Sequence, residues 1–181
     1  NRWIIVIIGD SGVGKTNLII RFAKNQFQHQ DIATIGGSQL QKSITINNQH
    51  IVLNIWDTAG QERYRSVVRQ YFTNSQVCFI VFDLSQEQTL KDCRYWIDAA
   101  KQIQKCQIAL IGNKSDLQPQ CSGKQIANDE KILYFEVSAL SGVGVEDMFF
   151  KACEQALLQY QGEEQKEKLD TTQIKQKSCC M

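Results

Sequence analysis

This sequence has no excess of one charge. Its 20 lysines and arginines almost balance 19 aspartates and glutamates, for a formal net charge of +1. No overall field therefore draws the chain onto nucleic acid. Histidine is scarce, with only His29 and His50, and no Cys-x-x-Cys pair occurs, so no zinc site is expected. No apolar run approaches the roughly 20 residues of a membrane-spanning helix. The longest near the start, Trp3 to Ile8, also lacks the flanks of a signal peptide. Internal repeats are missing too. What is plentiful is cysteine: seven, at 78, 93, 106, 121, 153, 179 and 180. Odd in number and scattered, they do not form a disulfide framework, and a reducing compartment is the simpler reading. The 181 residues suit one domain and a short tail. The chain opens at Asn1, almost directly in the first apolar run, which suggests a trimmed start.

The patterning predicts strands alternating with helices. Trp3 to Ile8 is continuous and β-branched, as in a strand buried on both faces. Helical character follows from Asn17 to Ala23. Residues 39 to 46 alternate, reach Asn47-Asn48, and return as Ile51 to Trp56, which predicts an antiparallel hairpin. Val77 to Phe82 and Ile108 to Ile111 read as further buried strands. Between them Leu90, Trp96, Ile97, Ala100 and Ile103 fit one helix face. Leu133 to Val137 is a last strand. Val145 to Tyr160 is a last helix, with Met148, Phe149, Ala152, Ala156 and Leu157 spaced for core packing. The scheme is an α/β sheet covered on both faces. From Gly162 the chain turns to Gln, Glu, Lys and Thr, too polar to bury a face, and is expected to be a disordered tail.

Gly9-Asp10-Ser11-Gly12-Val13-Gly14-Lys15-Thr16 fits the phosphate loop G-x-x-x-x-G-K-[ST], between a strand and a helix. Glycines let the backbone turn its N–H groups inward, so Ser11, Gly12, Val13, Gly14 and the residues that follow, Lys15, Thr16 and Asn17, cradle phosphate oxygens. Lys15 supplies a point charge to the β and γ phosphates. The Thr16 hydroxyl suits Mg²⁺, which prefers hard oxygens. Alone, this loop implies a nucleoside triphosphate and does not separate kinases and ATPases from other users.

Asn113-Lys114-Ser115-Asp116 follows a buried strand and fits the guanine reader N-K-x-D. The Asp116 carboxylate can accept from guanine N1–H and the exocyclic amine. Adenine offers neither donor, so Asp116 would be left unpaired. Asn113 can tie this loop to the phosphate loop, and the Lys114 stem can cover a base face. In Ser138-Ala139-Leu140 the Ala139 N–H can reach guanine O6. Phe27 is placed to stack on the base edge, or else is an ordinary core aromatic.

Asp57-Thr58-Ala59-Gly60-Gln61 ends a strand. Asp57 there can hold Mg²⁺ through water. The Gly60 N–H can bond the γ-phosphate. Gln61, donor and acceptor at once, can orient the attacking water and is the candidate catalytic residue. Thr34 can complete the metal's ligands only when triphosphate is bound, which makes an order–disorder switch.

At this point the residues resemble the small GTPases of the Ras superfamily, and the Rab branch above all. The resemblance covers essentially the whole chain. Its strongest stretch runs from Ile55 to Ser66, through Asp57-Thr58-Ala59-Gly60-Gln61-Glu62-Arg63-Tyr64-Arg65, and Val81-Phe82-Asp83-Leu84-Ser85 is similar too. It implies the P-loop small GTPase fold, with a six-stranded mixed, mostly parallel sheet flanked by about five helices in a domain over 1–161. It implies GTP and GDP with Mg²⁺, held by Thr16, Thr34 and Asp57, and slow hydrolysis. It also implies a monomer that cycles through exchange factors, activating proteins, effectors and a GDP-dissociation inhibitor or escort protein. No arginine is placed by a motif as an internal finger, so fast hydrolysis would need one from an activator. Departures fall in the partner-reading surface. Thr34-Ile35-Gly36-Gly37-Ser38-Gln39 puts Gln39 where the family has a phenylalanine, while Trp56 and Phe72 keep the other two aromatic places. Asp31 stands for a tyrosine, and Leu140 for a lysine. The stretch from Asp116 to Ser138 is short, so its helix is expected to be reduced.

The end, Ser178-Cys179-Cys180-Met181, has no CaaX cysteine. Two adjacent cysteines resemble the Rab double geranylgeranyl site over tail residues 162–181. One lipid binds marginally and two make a stable anchor. Unmodified thiols are the alternative. The resemblance implies a place on the cytoplasmic face of intracellular membranes, cycling with cytosol, in vesicle traffic. A scaffold of the same fold with negligible hydrolysis is the second reading. An ATP-using enzyme is the third, and Asn113 and Asp116 argue against it.

Overall fold

Three of the strands carry uninterrupted apolar runs, at 3–8, 77–82 and 108–111, and the fold uses both of their faces. The structure, a computed structural model, describes residues 1–28, 38–57, 74–102 and 106–178, with 163–178 as backbone only. Six strands form one sheet: β1 (Arg2–Ile8), β2 (Ser38–Ile46), β3 (Gln49–Asp57), β4 (Val77–Asp83), β5 (Gln107–Asn113) and β6 (Leu133–Glu136). Their order is β2-β3-β1-β4-β5-β6. Only β2 and β3 run antiparallel; β1, β3, β4, β5 and β6 pair in parallel. Four helices are described: α1 (Lys15–Lys24), α2 (Glu87–Lys101), α3 (Lys124–Glu130) and α4 (Val145–Ser178).

Alternate residues of the central strands divide between two cores. Ile5 and Ile7, Phe79 and Val81, and Ala109 and Ile111 join one, against Leu18, Ile19 and Phe22 of α1 and Met148, Phe149 and Ala152 of α4. Val6 and Ile8, Ile80 and Phe82, and Leu110 join the other, against Leu90, Trp96 and Ile97 of α2 and Ala127 of α3. In the first core Phe22 stacks on Phe149 with centroids 3.8 Å apart. Fully burying each such side chain contributes about 1.5–3 kcal/mol.

The β2–β3 hairpin turns at Asn47 and Asn48, with φ of 49° and 61°. Paired positive φ values match the sheet's twist, and asparagine tolerates them. As expected, the helix after Asp116 is short: α3 is 7 residues long. The last helix corrects the expectation that it ends at Tyr160. It runs to Ser178. The apolar periodicity does stop near Tyr160, but Gln, Glu, Lys and Leu are good helix formers. One glycine there, Gly162, costs only about 1 kcal/mol. Ile103, expected on α2, lies outside the described residues.

The topology dictates where a ligand sits. From β1 the neighbours are β3 on one side and β4 on the other, so a crevice opens at the carboxyl ends of the parallel strands. Every predicted nucleotide motif that is described follows or ends one of these strands.

Candidate functional site

The phosphate loop leaves β1 and enters α1. Gly14 caps α1 at φ 93° with no side-chain cap, and no acidic residue lies in the first turn. The first N–H groups of α1 and its positive end therefore face the crevice for an anion. A side chain at Gly14 is excluded, because a Cβ would stand 2.4 Å from Asn113 Nδ2. A Cβ at Gly12 would meet nothing within 4 Å, which marks the open side of the cradle.

Lys15 folds over this loop, 6% exposed. Its ammonium donates to the carbonyls of Gly9 at 2.8 Å and Asp10 at 2.6 Å. Burial pushes its pKa down to about 8, and the carboxylates of Asp57 and Asp10 oppose the fall. A buried cation held by neutral carbonyls is poised to be stabilised by an arriving phosphate. The Thr16 hydroxyl donates to Asp57 Oδ2 at 2.7 Å. Asp57, at the end of β3, is 3% exposed. A hydroxyl and a buried carboxylate brought together beside the cradle are hard oxygen donors, and they fit Mg²⁺. The Asn17 amide donates to the Gln28 carbonyl at 3.2 Å, and Gln28 N–H donates to Asn17 Oδ1 at 2.9 Å. That pair fixes the chain just after Phe27, which packs half-buried against the first core. Ser11 is exposed on the loop and Val13 is buried beneath it.

Asn113, Asp116, Ser138 and Ala139, the candidate base-reading residues, lie together. Asn113 is 1% exposed. Its amide donates to the Val13 carbonyl at 2.8 Å and its Oδ1 accepts from Ala139 N–H at 3.1 Å. One side chain thus joins three segments of the site. Asp116 is exposed at the mouth. Its Oδ1 accepts a short hydrogen bond from the Ser138 hydroxyl, whose oxygen accepts from Ser141 N–H at 3.0 Å. The carboxylate is thereby set before any base arrives. Ala139 is buried and Leu140 is 46% exposed. Gln39 pairs directly with Trp56 in the antiparallel register of β2 and β3. Thr34, Asp31, Gly60, Gln61, Phe72, Cys179 and Cys180 lie outside the described residues.

Two residues in this network escape sequence reasoning. Arg21 of α1 donates from Nε to the Ala139 carbonyl at 2.9 Å and from Nη2 to the Leu140 carbonyl at 2.6 Å. It straps the Ser138–Leu140 loop to α1 across 118 residues of chain, so no local pattern announces it. Truncation by Arg21→Ala removes these two charge-assisted bonds, together with two exposed ones from Nη1 to the Asn25 carbonyl and Oδ1, and is expected to cost about 1–3 kcal/mol in thermal unfolding. Bound guanine nucleotide should then leave about threefold faster or more, at roughly 0.6 kcal/mol or more.

The second is Asp83, at the end of β4 and 1% exposed. Its Oδ2 lies 2.6 Å from Lys114 Nζ, and its Oδ1 accepts from Ser85 N–H at 2.9 Å and Ser85 Oγ at 2.6 Å. The Asp-x-Ser turn is a weak local signal for the latter pair. Burial works to raise its pKa, but hydrogen bonds from Lys114 and Ser85 and the Lys114 charge outweigh it, leaving the carboxyl below its ordinary value. A depressed carboxyl stabilises the fold above its unfolded pKa of about 4 and loses that contribution as pH falls through the lower folded value. The gap in melting temperature between wild type and Asp83→Asn should therefore shrink below about pH 4. Parallel pH–melting curves would contradict this.

Comparison with known proteins agrees with this geometry. The Ras family model matches residues 4–158. The Ras-related protein Rab-2B of Dictyostelium discoideum is 35% identical over 159 residues, 84% of this chain and 79% of that protein. Rab-11C of the same organism is 40% identical over 152 residues, covering 80% and 68%. RABA1b of Arabidopsis thaliana is 38% identical over 152 residues, covering 80% and 70%. On the strength of the family match over most of its length, and of relatives 35–40% identical to it, the chain belongs to the Ras family and is a Rab-like small GTPase.

Proposed function

We propose that this chain binds GTP with Mg²⁺, hydrolyses it slowly, and acts as a switch in membrane traffic. The observation that carries the reading is Asn113, which couples the Val13 carbonyl of the phosphate loop to the Ala139 N–H of the base site. Phosphate and base recognition are thus one unit. Lys15 holds the β and γ phosphates, and Asp116 accepts from the guanine edge. Thr16 and Asp57 hold the metal, with Thr34 joining them in the triphosphate state. Bound Mg²⁺ neutralises charge on the phosphates. Gln61 orients the attacking water, and the Gly60 N–H bonds the γ-phosphate. Release of the γ-phosphate frees the loops of Thr34 and Gly60, and partners distinguish the two states there.

The same reading extends to regulation and place. Exchange factors, activating proteins, effectors and a GDP-dissociation inhibitor or escort protein act on a monomer. Residues 162–181 form a tail beyond the 1–161 domain, and Cys179 and Cys180 carry prenyl chains. Two chains anchor stably where one does not. No described helix is long and apolar enough to cross a membrane, and a lipidated tail gives attachment without one. The chain then works on the cytoplasmic face of intracellular membranes and cycles through cytosol.

Single-turnover release of γ-phosphate from the GTP-loaded protein with Mg²⁺ tests the enzyme. Slow release that Gln61→Leu cuts about tenfold or more, roughly 1.4 kcal/mol of barrier, is the expected result. Release no faster than in the variant leaves a nucleotide-holding scaffold instead.

A further inference from the structure

We propose that Asp83 is a positioning residue for guanine binding, holding the Lys114 ammonium so that the lysine stem is fixed over one face of the base. This rests on the guanine reading of Asn113 to Asp116.

A lysine side chain carries about 2 kcal/mol of rotamer entropy. A stem that must lie flat on a base binds better if it is fixed beforehand, since ordering it then costs nothing at the moment of binding. Lys114 is fixed at both ends. Its backbone sits at φ 65°, in the left-handed region that non-glycine residues rarely occupy. Its Nζ is 2.6 Å from Asp83 Oδ2, with the lysine side chain 31% exposed and the aspartate side chain 1% exposed. The carboxylate cannot turn away, because Ser85 donates twice to its other oxygen.

The backbone beneath is locked as well. Asp83 lies opposite Asn113 in the β4–β5 register. Leu84 N–H donates to the Asn113 carbonyl at 3.0 Å. The Leu84 carbonyl in turn accepts from Gln120 N–H at 2.8 Å and Cys121 N–H at 3.2 Å. Asp83 to Ser85 therefore form a platform that grips both ends of the base-reading loop. Within Asn113 to Asp116, the Asp83 carboxylate of this platform reaches the Lys114 ammonium. A buried aspartate whose ion pair served stability alone would need no partner inside the reader.

The test is a double-mutant cycle on release of fluorescent GDP from the full chain. Asp83→Asn is expected to speed release about tenfold, and Lys114→Met at least as much. Combined, Asp83→Asn should add less than twofold to Lys114→Met, because its effect runs through that ammonium. Equal acceleration in both backgrounds would overturn the assignment and make Asp83 merely structural, and so would no acceleration by Asp83→Asn alone. Should melting show that Asp83→Asn is unfolded, Ser85→Ala loosens the same carboxylate. It is expected to speed release about threefold alone and not at all beside Lys114→Met, and additivity there overturns the assignment equally. Wild-type protein that releases GDP and ADP at one rate would overturn the guanine reading and this assignment with it. Wild-type selectivity with additive variants overturns this assignment alone.

Discussion

Asn113→Ala is expected to weaken nucleotide binding about 100-fold and to lower thermal stability as well. The side chain is 1% exposed and bonds two backbone groups from distant segments, Val13 O and Ala139 N. Alanine fills neither role. Each buried group left unsatisfied costs about 1–3 kcal/mol. A combined loss of about 3 kcal/mol lowers the melting temperature by about 10 °C in a chain of this size. The nucleotide feels the same loss, because the phosphate cradle and the Ala139 N–H are no longer held in register; about 3 kcal/mol is about 100-fold in Kd. Titration with GDP and a melting curve measure both. Affinity within threefold of wild type would show that the loops are positioned without this link.

Asp116→Ala is expected to remove guanine selectivity while sparing the fold. The carboxylate is exposed, and the variant takes one hydrogen bond from the fold, that from the Ser138 hydroxyl, at about 1 kcal/mol. The fold should therefore lose little. The ligand loses two charge-assisted hydrogen bonds, from N1–H and the exocyclic amine, at about 1.5–3 kcal/mol each. A total near 4 kcal/mol is about 10³-fold in preference for GDP over ADP. Competition between the two nucleotides reads this directly, with GDP affinity falling and ADP affinity unmoved or rising as the unpaired carboxylate is removed. A variant that keeps its preference would place base recognition elsewhere.

Much of this architecture was legible because its signals are local. The runs Trp3 to Ile8 and Val77 to Phe82 have no polar face, and each strand feeds two cores by alternate residues. Asn47-Asn48 marks a turn that needs positive φ, and both residues adopt it. The phosphate loop and the N-K-x-D element carry their chemistry in spacing alone, and Asn113 makes the predicted tie to the phosphate loop.

What was not legible depends on distance or on competing signals. Arg21 reaches Ala139 across 118 positions. Asp83 meets Lys114 only because β4 and β5 are neighbours in register. In the last helix two rules disagree after Tyr160. Periodicity ends, since no apolar face remains to bury, while propensity continues through Gln, Glu and Lys, and the helix follows propensity.

In the proposed function the phosphate cradle and the guanine reader act as one site. Equilibrium titration of nucleotide-free wild-type protein with GDP and with ADP, in the presence of Mg²⁺, tests it most directly. A preference for GDP of about 10³-fold or more is expected, set by the two hydrogen bonds that only guanine can donate to Asp116. Comparable affinities for the two would contradict it, because a carboxylate that reads guanine cannot be indifferent to adenine.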